Sequence, residues 1–119
     1  GPSVVNLSPN KLSNVISNGE VEIDLVKRIV TKSGAKVQLL AKEFDLLEYF
    51  MLRPDEELGT DTLIQRISKP GSKATADTLL ETITGLRNKL DDGKDQSQSI
   101  IATIPNVGYG LRKVAAPSN

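Results

Sequence analysis

The sequence has 119 residues, enough for one globular domain with a single core and too few for two. Fifteen Lys and Arg residues balance fifteen Asp and Glu residues, so the net charge does not indicate a nucleic acid, a membrane or an acidic substrate as the partner. Because the sequence has no Cys and no His, it excludes a thiolate nucleophile, a disulfide framework, a Cys/His zinc site and an imidazole base. We therefore expect no enzyme, no metal, no cofactor and no small-molecule substrate.

The two ends of the chain differ in composition from the rest. The sequence starts with Gly-Pro-Ser, which resembles the remnant of a cleaved tag, and its last five residues are typical of a linker. We predict a tag remnant and N-terminal extension in residues 1–19, one domain in residues 20–114 and a tail in residues 115–119. No apolar run approaches the roughly 20 residues that span a bilayer. We expect a cytoplasmic domain cut from a longer protein, which is membrane-anchored if it carries a transmembrane helix elsewhere.

The first forty residues are predicted to form β-structure. Apolar residues alternate in residues 21–25 and 37–39, with the β-branched run 29–31 between them. Asn18–Gly19 and Ser33–Gly34 supply turns. This pattern is typical of a small antiparallel meander.

Three helical segments follow. The first begins at Ala41 and is ended by Pro54, with four charged residues expected to face solvent: Lys42, Glu43, Asp45 and Glu48. The second spans about residues 60–68. The third, residues 75–90, is the clearest, because one face is apolar throughout: Ala76, Leu79, Leu80, Ile83, Leu86 and Leu90. Its opposite face is small and polar, and Asp91 and Asp92 after it are interpreted as a solvated turn.

Two final strands, residues 99–104 and 109–114, are joined by a turn and form a hairpin. The order of sheet, three helices and hairpin predicts an α+β winged helix-turn-helix, with an N-terminal antiparallel sheet and a C-terminal β-hairpin wing. In helix-turn-helix proteins, the second helix of the motif enters the major groove. Here that recognition helix is the segment of residues 75–90.

Three motifs carry a resemblance to a known family: LLAKEFDLL in residues 39–47, LRNKL in residues 86–90 and IATIPNVGYGL in residues 101–111. They resemble the DNA-binding domain of the OmpR/PhoB family of bacterial transcription regulators, over about residues 20–113. The resemblance implies the same fold and sequence-specific binding of double-stranded DNA, with the wing of residues 104–109 at the minor groove. It also implies a homodimer on repeated half-sites and contact with RNA polymerase through the loop of residues 68–74.

The resemblance does not fix the architecture of the full-length protein. OmpR-like response regulators place this domain after a receiver domain, whereas the ToxR/CadC-like branch places it before a transmembrane helix. The wing sequence, with TIP in residues 103–105 and GY in residues 108–109, is similar to that of the second branch. Both arrangements stay open.

The resemblance assigns four residues to phosphate contacts or to positioning the elements that make them: Thr78, Arg87, Thr103 and Tyr109. All four can donate to phosphate oxygens. A structural role is an alternative for each, because Arg87 can extend across the core or pair with an acid and Tyr109 can pack its ring. Lys69 and Lys73, in the loop before the recognition helix, are well placed to reach phosphate, with a solvated loop lysine as the alternative. Asn106 at the wing tip can bond a minor-groove acceptor.

Base reading is expected from the outer face of the recognition helix. Glu81 can accept from cytosine N4, and Thr82 can bond a base edge or touch a thymine methyl. A solvated polar face is the alternative for both. Asp77 and the pair Thr84–Gly85 stand where the family often has basic residues, so we expect weak affinity and a shallow salt dependence. Gly85 either allows a close approach of the DNA backbone or is a tolerated change without a function. The sequence does not distinguish these two interpretations.

Other departures mark a divergent member. Leu40 and Gly59 stand where the family has a Thr and a Ser that cap helices, and Ser68 stands where many members have a Trp. The small number of Arg residues on the recognition helix and wing leaves an alternative open, which is a protein-interaction module that has lost DNA binding.

Overall fold

A computed structural model of the chain describes residues 14–91 and 98–114, which form two antiparallel sheets and three helices. The N-terminal sheet has four strands in sequential order: β1 (Val15–Asn18), β2 (Val21–Asp24), β3 (Ile29–Lys32) and β4 (Ala35–Val37). The helices are α1 (Ala41–Leu52), α2 (Thr60–Ile67) and α3 (Ala76–Leu90). The short strand β5 (Leu58–Gly59) pairs with β7 (Gly108–Leu111), which forms the wing hairpin with β6 (Ile101–Ile104). The predicted α+β winged helix-turn-helix is confirmed.

The N-terminal sheet starts at Val15, before the domain boundary predicted at residue 20. The side chain of Asn18, which is buried, donates from Nδ2 to the carbonyl oxygen of Arg112 at 2.8 Å. Its Oδ1 accepts from the backbone N–H of Val114, also at 2.8 Å. The first strand therefore binds the segment that follows the wing, a long-range contact that local sequence patterns do not reveal.

One apolar core lies between the helices and the two sheets. All three helices and both sheets contribute fully buried side chains, among them Ile23, Leu47, Phe50, Leu63, Ile67, Ile83, Leu86 and Ile101. The motif residues of the recognition helix and of the β6 strand thus meet in the same core. Within residues 14–91 and 98–114, no helix has the length and apolar character needed to cross a bilayer.

The exposed face of α3 is rotated relative to the face predicted from the sequence. Leu80, predicted to be inward, is 55% exposed, and Ala76 is exposed as well. Thr82, predicted to flank the outer face, is 7% exposed. The placement of these three residues was therefore wrong. The exposed positions along the outer face are Asp77, Leu80, Glu81, Thr84 and Asn88.

An ion pair between α1 and α3, in which the carboxylate is buried, explains this rotation. Glu43, predicted to face solvent, is 4% exposed; its Oε1 accepts from the backbone N–H of Leu40 at 2.9 Å and pairs with Nζ of Lys89. A Cβ at position 85 would overlap the Glu43 carboxylate, so Gly85 provides the room that this carboxylate occupies. The Gly85 side of α3 thus faces α1, and Leu80 lies about 140° around the helix from it.

The end of α3 is fixed by Asp91, and the interpretation of Asp91 as a solvated residue was wrong. Asp91 is 6% exposed, accepts from the Ser99 hydroxyl at 2.6 Å and accepts from the backbone N–H of Ile100 at 3.2 Å. These bonds tie the C-terminus of the recognition helix to the start of the wing. Asp92 lies outside the described residues.

Candidate nucleic-acid interface

The start of α3 is held by a threonine cap. Thr75 accepts from the backbone N–H of Thr78 at 3.1 Å through its Oγ1, and the two hydroxyl oxygens are 3.0 Å apart. Thr78 is half-buried, and its contact with Thr75 positions its hydroxyl at the start of the recognition helix. Such a capped N-terminus presents backbone N–H groups and a hydroxyl in fixed directions.

Three of the predicted site residues meet where α3 crosses the wing. Arg87 donates from Nε and Nη2 to the carbonyl oxygen of Ile101 at 3.1 and 2.7 Å, and from Nη2 to the Thr103 hydroxyl at 2.8 Å. Thr103 is opposite Tyr109 in the β6–β7 register, and the Arg87 guanidinium carbon is 5.7 Å from the centre of the Tyr109 ring. Arg87 therefore serves a structural role, and it joins the helix to the wing.

The same guanidinium group retains donors that the protein does not use. Within residues 14–91 and 98–114, the two hydrogens of Arg87 Nη1 have no protein partner. Thr103 beside it is exposed and Tyr109 is half-buried. One surface at the α3–wing junction thus carries donors suited to a phosphate oxygen.

The wing tip is a tight turn, and its backbone conformation accounts for the Pro and the Asn at its centre. The N–H of Val107 donates to the carbonyl oxygen of Ile104 at 3.1 Å, with Pro105 and Asn106 at the central positions. Asn106 has φ 65°, which Asn tolerates better than most residues, and the pattern is that of a type II turn. Its side chain is exposed at the tip.

The wing is anchored to the body by a close backbone approach. Gly108 lies opposite Gly59 in the β5–β7 pairing, and a Cβ at position 108 would overlap the carbonyl oxygen of Leu58. The N–H of Thr60, the first residue of α2, donates to the carbonyl oxygen of Val107 at 3.3 Å. The glycine of the family motif GY is therefore needed for packing of the wing against the start of α2.

The two predicted base-reading residues differ in their surroundings. Glu81 is exposed on the outer face of α3. Thr82 is buried, and its hydroxyl donates to the carbonyl oxygen of Thr78 at 2.8 Å, so that group is not presented to a base. Glu81 is thus presented on the outer face of α3, whereas the Thr82 hydroxyl is not.

The loop between α2 and α3 is closed by Ser68, which stands where many members of the family have a Trp. The Ser68 hydroxyl donates to the carbonyl oxygen of Ile64 at 2.7 Å and accepts from the backbone N–H of Ala74 at 2.8 Å. Backbone bonds between Lys69 and Ser72 tighten the loop, and residues 70–73 are exposed. Lys73 lies on this exposed part, next to the N-terminus of α3.

Charge on the interface is low because the protein itself uses the cations of α3. Lys89 pairs with Glu43, and Arg87 is bonded to the wing strand. Arg66 of α2 pairs with Glu48 at 3.0 Å. Among the described residues no group of three or more metal-ligating side chains occurs, so the interface offers no described metal cluster.

Sequence reasoning missed one exposed side chain on this interface. Leu80 was assigned to the core because it fits an apolar stripe of helical spacing. Gly85 and Glu43 are the signal for its exposure, because the Gly85 side of α3 faces α1 and Leu80 lies on another side. These two residues are 42 positions apart, so no local pattern reveals their contact.

The fold and this surface define a winged helix-turn-helix domain of the kind that binds DNA. The family described as transcriptional regulatory protein, C terminal, matches residues 34–111, and the chain belongs to this family of OmpR/PhoB-type DNA-binding domains. The resemblance drawn from the three motifs is confirmed.

Individual relatives agree with this assignment. The chain is 31% identical over 118 residues to the transcriptional activator protein IrlR of Burkholderia pseudomallei, which covers 98% of this chain and 51% of that protein. The chain spans about half or less of the length of the curated relatives it matches.

Solved structures of DNA-binding domains are similar as well. The DNA-binding domain of Escherichia coli CadC has a TM-score of 0.72 and 30% identity, covering 86% of this chain and 94% of that one. The DNA-binding domain of Klebsiella pneumoniae RstA, in complex with the RstA box, has a TM-score of 0.67 and 27% identity, covering 82% and 95%. These matches favour a DNA-binding domain of a transcription regulator over the protein-interaction module.

Proposed function

We propose that the domain binds double-stranded DNA at a specific sequence, with α3 in the major groove and the wing, residues 104–109, at the minor groove. The observation that carries this proposal is the bonding of Arg87 to Ile101 and Thr103, which joins helix and wing into one surface. The RstA domain, similar in fold, is described in complex with its DNA box, which supports the same ligand class here.

Phosphate contacts are assigned to the edges of this surface. Arg87 would donate from its unused Nη1, with the hydroxyls of Thr103 and Tyr109 beside it. Thr78 and Lys73 would contact the backbone near the N-terminus of α3, where the helix dipole also favours a phosphate. Such contacts fix orientation but carry no base information.

Sequence-specific contacts are assigned to α3 and the wing tip. Glu81 would accept a hydrogen bond from a base amino group, and Asn106 would bond an acceptor in the minor groove. Thr82 is not included, since its hydroxyl is bonded to Thr78.

The larger assembly is also a proposal. We infer a homodimer on half-sites about one helical turn apart, which is how dimeric helix-turn-helix proteins match repeated sites. The exposed tip of the loop of residues 68–74, held at its base by Ser68, is suited to contact RNA polymerase. We infer that the domain acts in the bacterial cytoplasm, where chromosomal DNA lies. We assign no catalytic step to it.

Selection from a randomised duplex library with the purified domain, near physiological salt, tests the proposal. We expect enrichment of one motif, and of a direct or inverted repeat of that motif if the domain dimerises on DNA. Absence of enrichment, together with absence of binding at low salt, would overturn DNA binding and favour a protein partner.

A further inference from the structure

The outer face of α3 has an exposed leucine among polar and acidic neighbours. Leu80 is 55% exposed, so it contributes little to the core. Asp77, Glu81 and Thr84 lie three, one and four positions from it, and all three are exposed. A helix face that enters the major groove therefore presents an apolar group toward the base edges.

The same face lacks the groups that read guanine. Guanine is usually recognised by Arg or Lys bonded to its O6 and N7 atoms. The two cations of α3 are Arg87, bonded to Ile101 and Thr103, and Lys89, paired with Glu43. Neither is an exposed residue of the outer face.

In the major groove the apolar feature of a base pair is the C5-methyl group of thymine. We infer that Leu80 is a specificity-determining residue that reads a thymine through this methyl group, and that α3 does not read guanine through a cation. Glu81 beside it accepts from an amino group, and Asn88 further along the face is of the type that bonds adenine at N6 and N7. This inference rests on the proposed function, and it adds the class of bases that the recognition helix selects.

The test removes one methyl group from DNA and, separately, the side chain that contacts it. Each thymine of the selected duplex is replaced in turn by deoxyuridine, which keeps base pairing and lacks only the C5-methyl. Binding of each duplex is measured for the wild-type domain, for Leu80→Ala and for Leu52→Ala. Leu52, at the end of α1, is 48% exposed and serves as the matched control for loss of an exposed leucine.

We expect deoxyuridine to weaken binding of the wild type roughly fourfold at one or two positions of each half-site, the value for loss of one buried methyl contact. Leu80→Ala should bind the thymine and deoxyuridine duplexes equally, whereas Leu52→Ala should discriminate like the wild type. Because Leu80 is exposed, its replacement by Ala is expected to leave the thermal unfolding midpoint nearly unchanged.

Three results would overturn the inference while leaving DNA binding intact. These are a deoxyuridine effect that persists in Leu80→Ala, equal binding of thymine and deoxyuridine duplexes by the wild type, and a selected motif that lacks thymine. Failure of every duplex to bind any of the three proteins would overturn the proposed function itself, so the two failures are distinguishable.

Discussion

At the scale of single residues, burial of a charged group decides the orientation of the recognition helix. Glu43 is enclosed between Leu40, Gly85 and Lys89, with its carboxylate bonded to a backbone N–H and an ammonium group. A buried, hydrogen-bonded charge of this kind is costly to disturb. Gly85 has a low helix propensity, but the buried carboxylate on the other helix requires a glycine at this position.

Replacement of Gly85 should have opposite effects in two backgrounds. Gly85→Ala alone gains up to about 1 kcal/mol of helix propensity but displaces the Glu43 carboxylate, so we expect net destabilisation by about 1 kcal/mol. In a Glu43→Ala background the same change should stabilise by about 0.5–1 kcal/mol, because only the propensity remains. Chemical denaturation of the four proteins measures this cycle, and the same sign in both backgrounds would contradict it.

Asp91 should be far more important for stability than an exposed aspartate. Asp91→Ala leaves the Ser99 hydroxyl and the Ile100 N–H without their acceptor, so we expect a loss of about 2–3 kcal/mol in the free energy of unfolding. Asp55, which is 78% exposed and 3.5 Å from Lys113, is the control, and its replacement by Ala should change stability by less than about 0.5 kcal/mol. Equal losses in urea titrations would show that Asp91 is not structural.

At the scale of elements, the wing joins the start of α2 through a strand pair of two residues each. β5 and β7 pair only through Leu58 with Tyr109 and Gly59 with Gly108, and these pairs connect the hairpin to the start of α2. The packing of the wing against α2 therefore depends on two facing glycines with different surroundings.

The two facing glycines should respond in opposite directions to substitution. Gly108→Ala places a Cβ against the Leu58 carbonyl, so we expect a loss of about 2–3 kcal/mol and weaker DNA binding. Gly59 is the N-cap of α2, with φ −70° and no atom of another segment nearer than 4.0 Å to an added Cβ, so Gly59→Ser should stabilise by about 0.5–1 kcal/mol. Thermal unfolding of both variants checks this, and destabilisation by Gly59→Ser would contradict the cap geometry.

Local patterns predict most elements here, because the helices and strands have the apolar spacing that their burial requires. What the sequence alone missed depends on partners far apart in the chain. Glu43 and Leu80 were placed on the wrong faces since the Glu43–Lys89 pair joins positions 46 apart, and Asn18 reaches Arg112 across 94 positions. The candidate site residues were predicted through the family motifs, but the burial of Thr82 depends on tertiary packing that no local pattern reveals.

At the scale of the whole molecule, electrostatics should contribute little to DNA affinity. The chain has no net charge, and α3 uses its two cations in contacts with the protein. The cationic groups near α3 that can reach phosphate are Lys73, its exposed loop neighbour Lys69 and the unused Nη1 of Arg87. If about three phosphates are neutralised per domain, the logarithm of the binding constant should fall with the logarithm of the salt concentration with a slope of about −3. A titration from low to high salt with a slope of −6 or steeper per domain would contradict this.

We expect the surface formed by α3, the loop before it and the wing to bind DNA. Lys73→Glu and Lys36→Glu change the net charge by the same amount, but Lys73 precedes α3 whereas Lys36 lies on β4 of the N-terminal sheet. The most direct test is the affinity of the wild type and both variants for the selected duplex at several salt concentrations. We expect Lys73→Glu to weaken binding roughly tenfold and to reduce the salt slope by about one, and Lys36→Glu to leave both nearly unchanged. Equal weakening by the two variants, or no effect of Lys73→Glu, would contradict it.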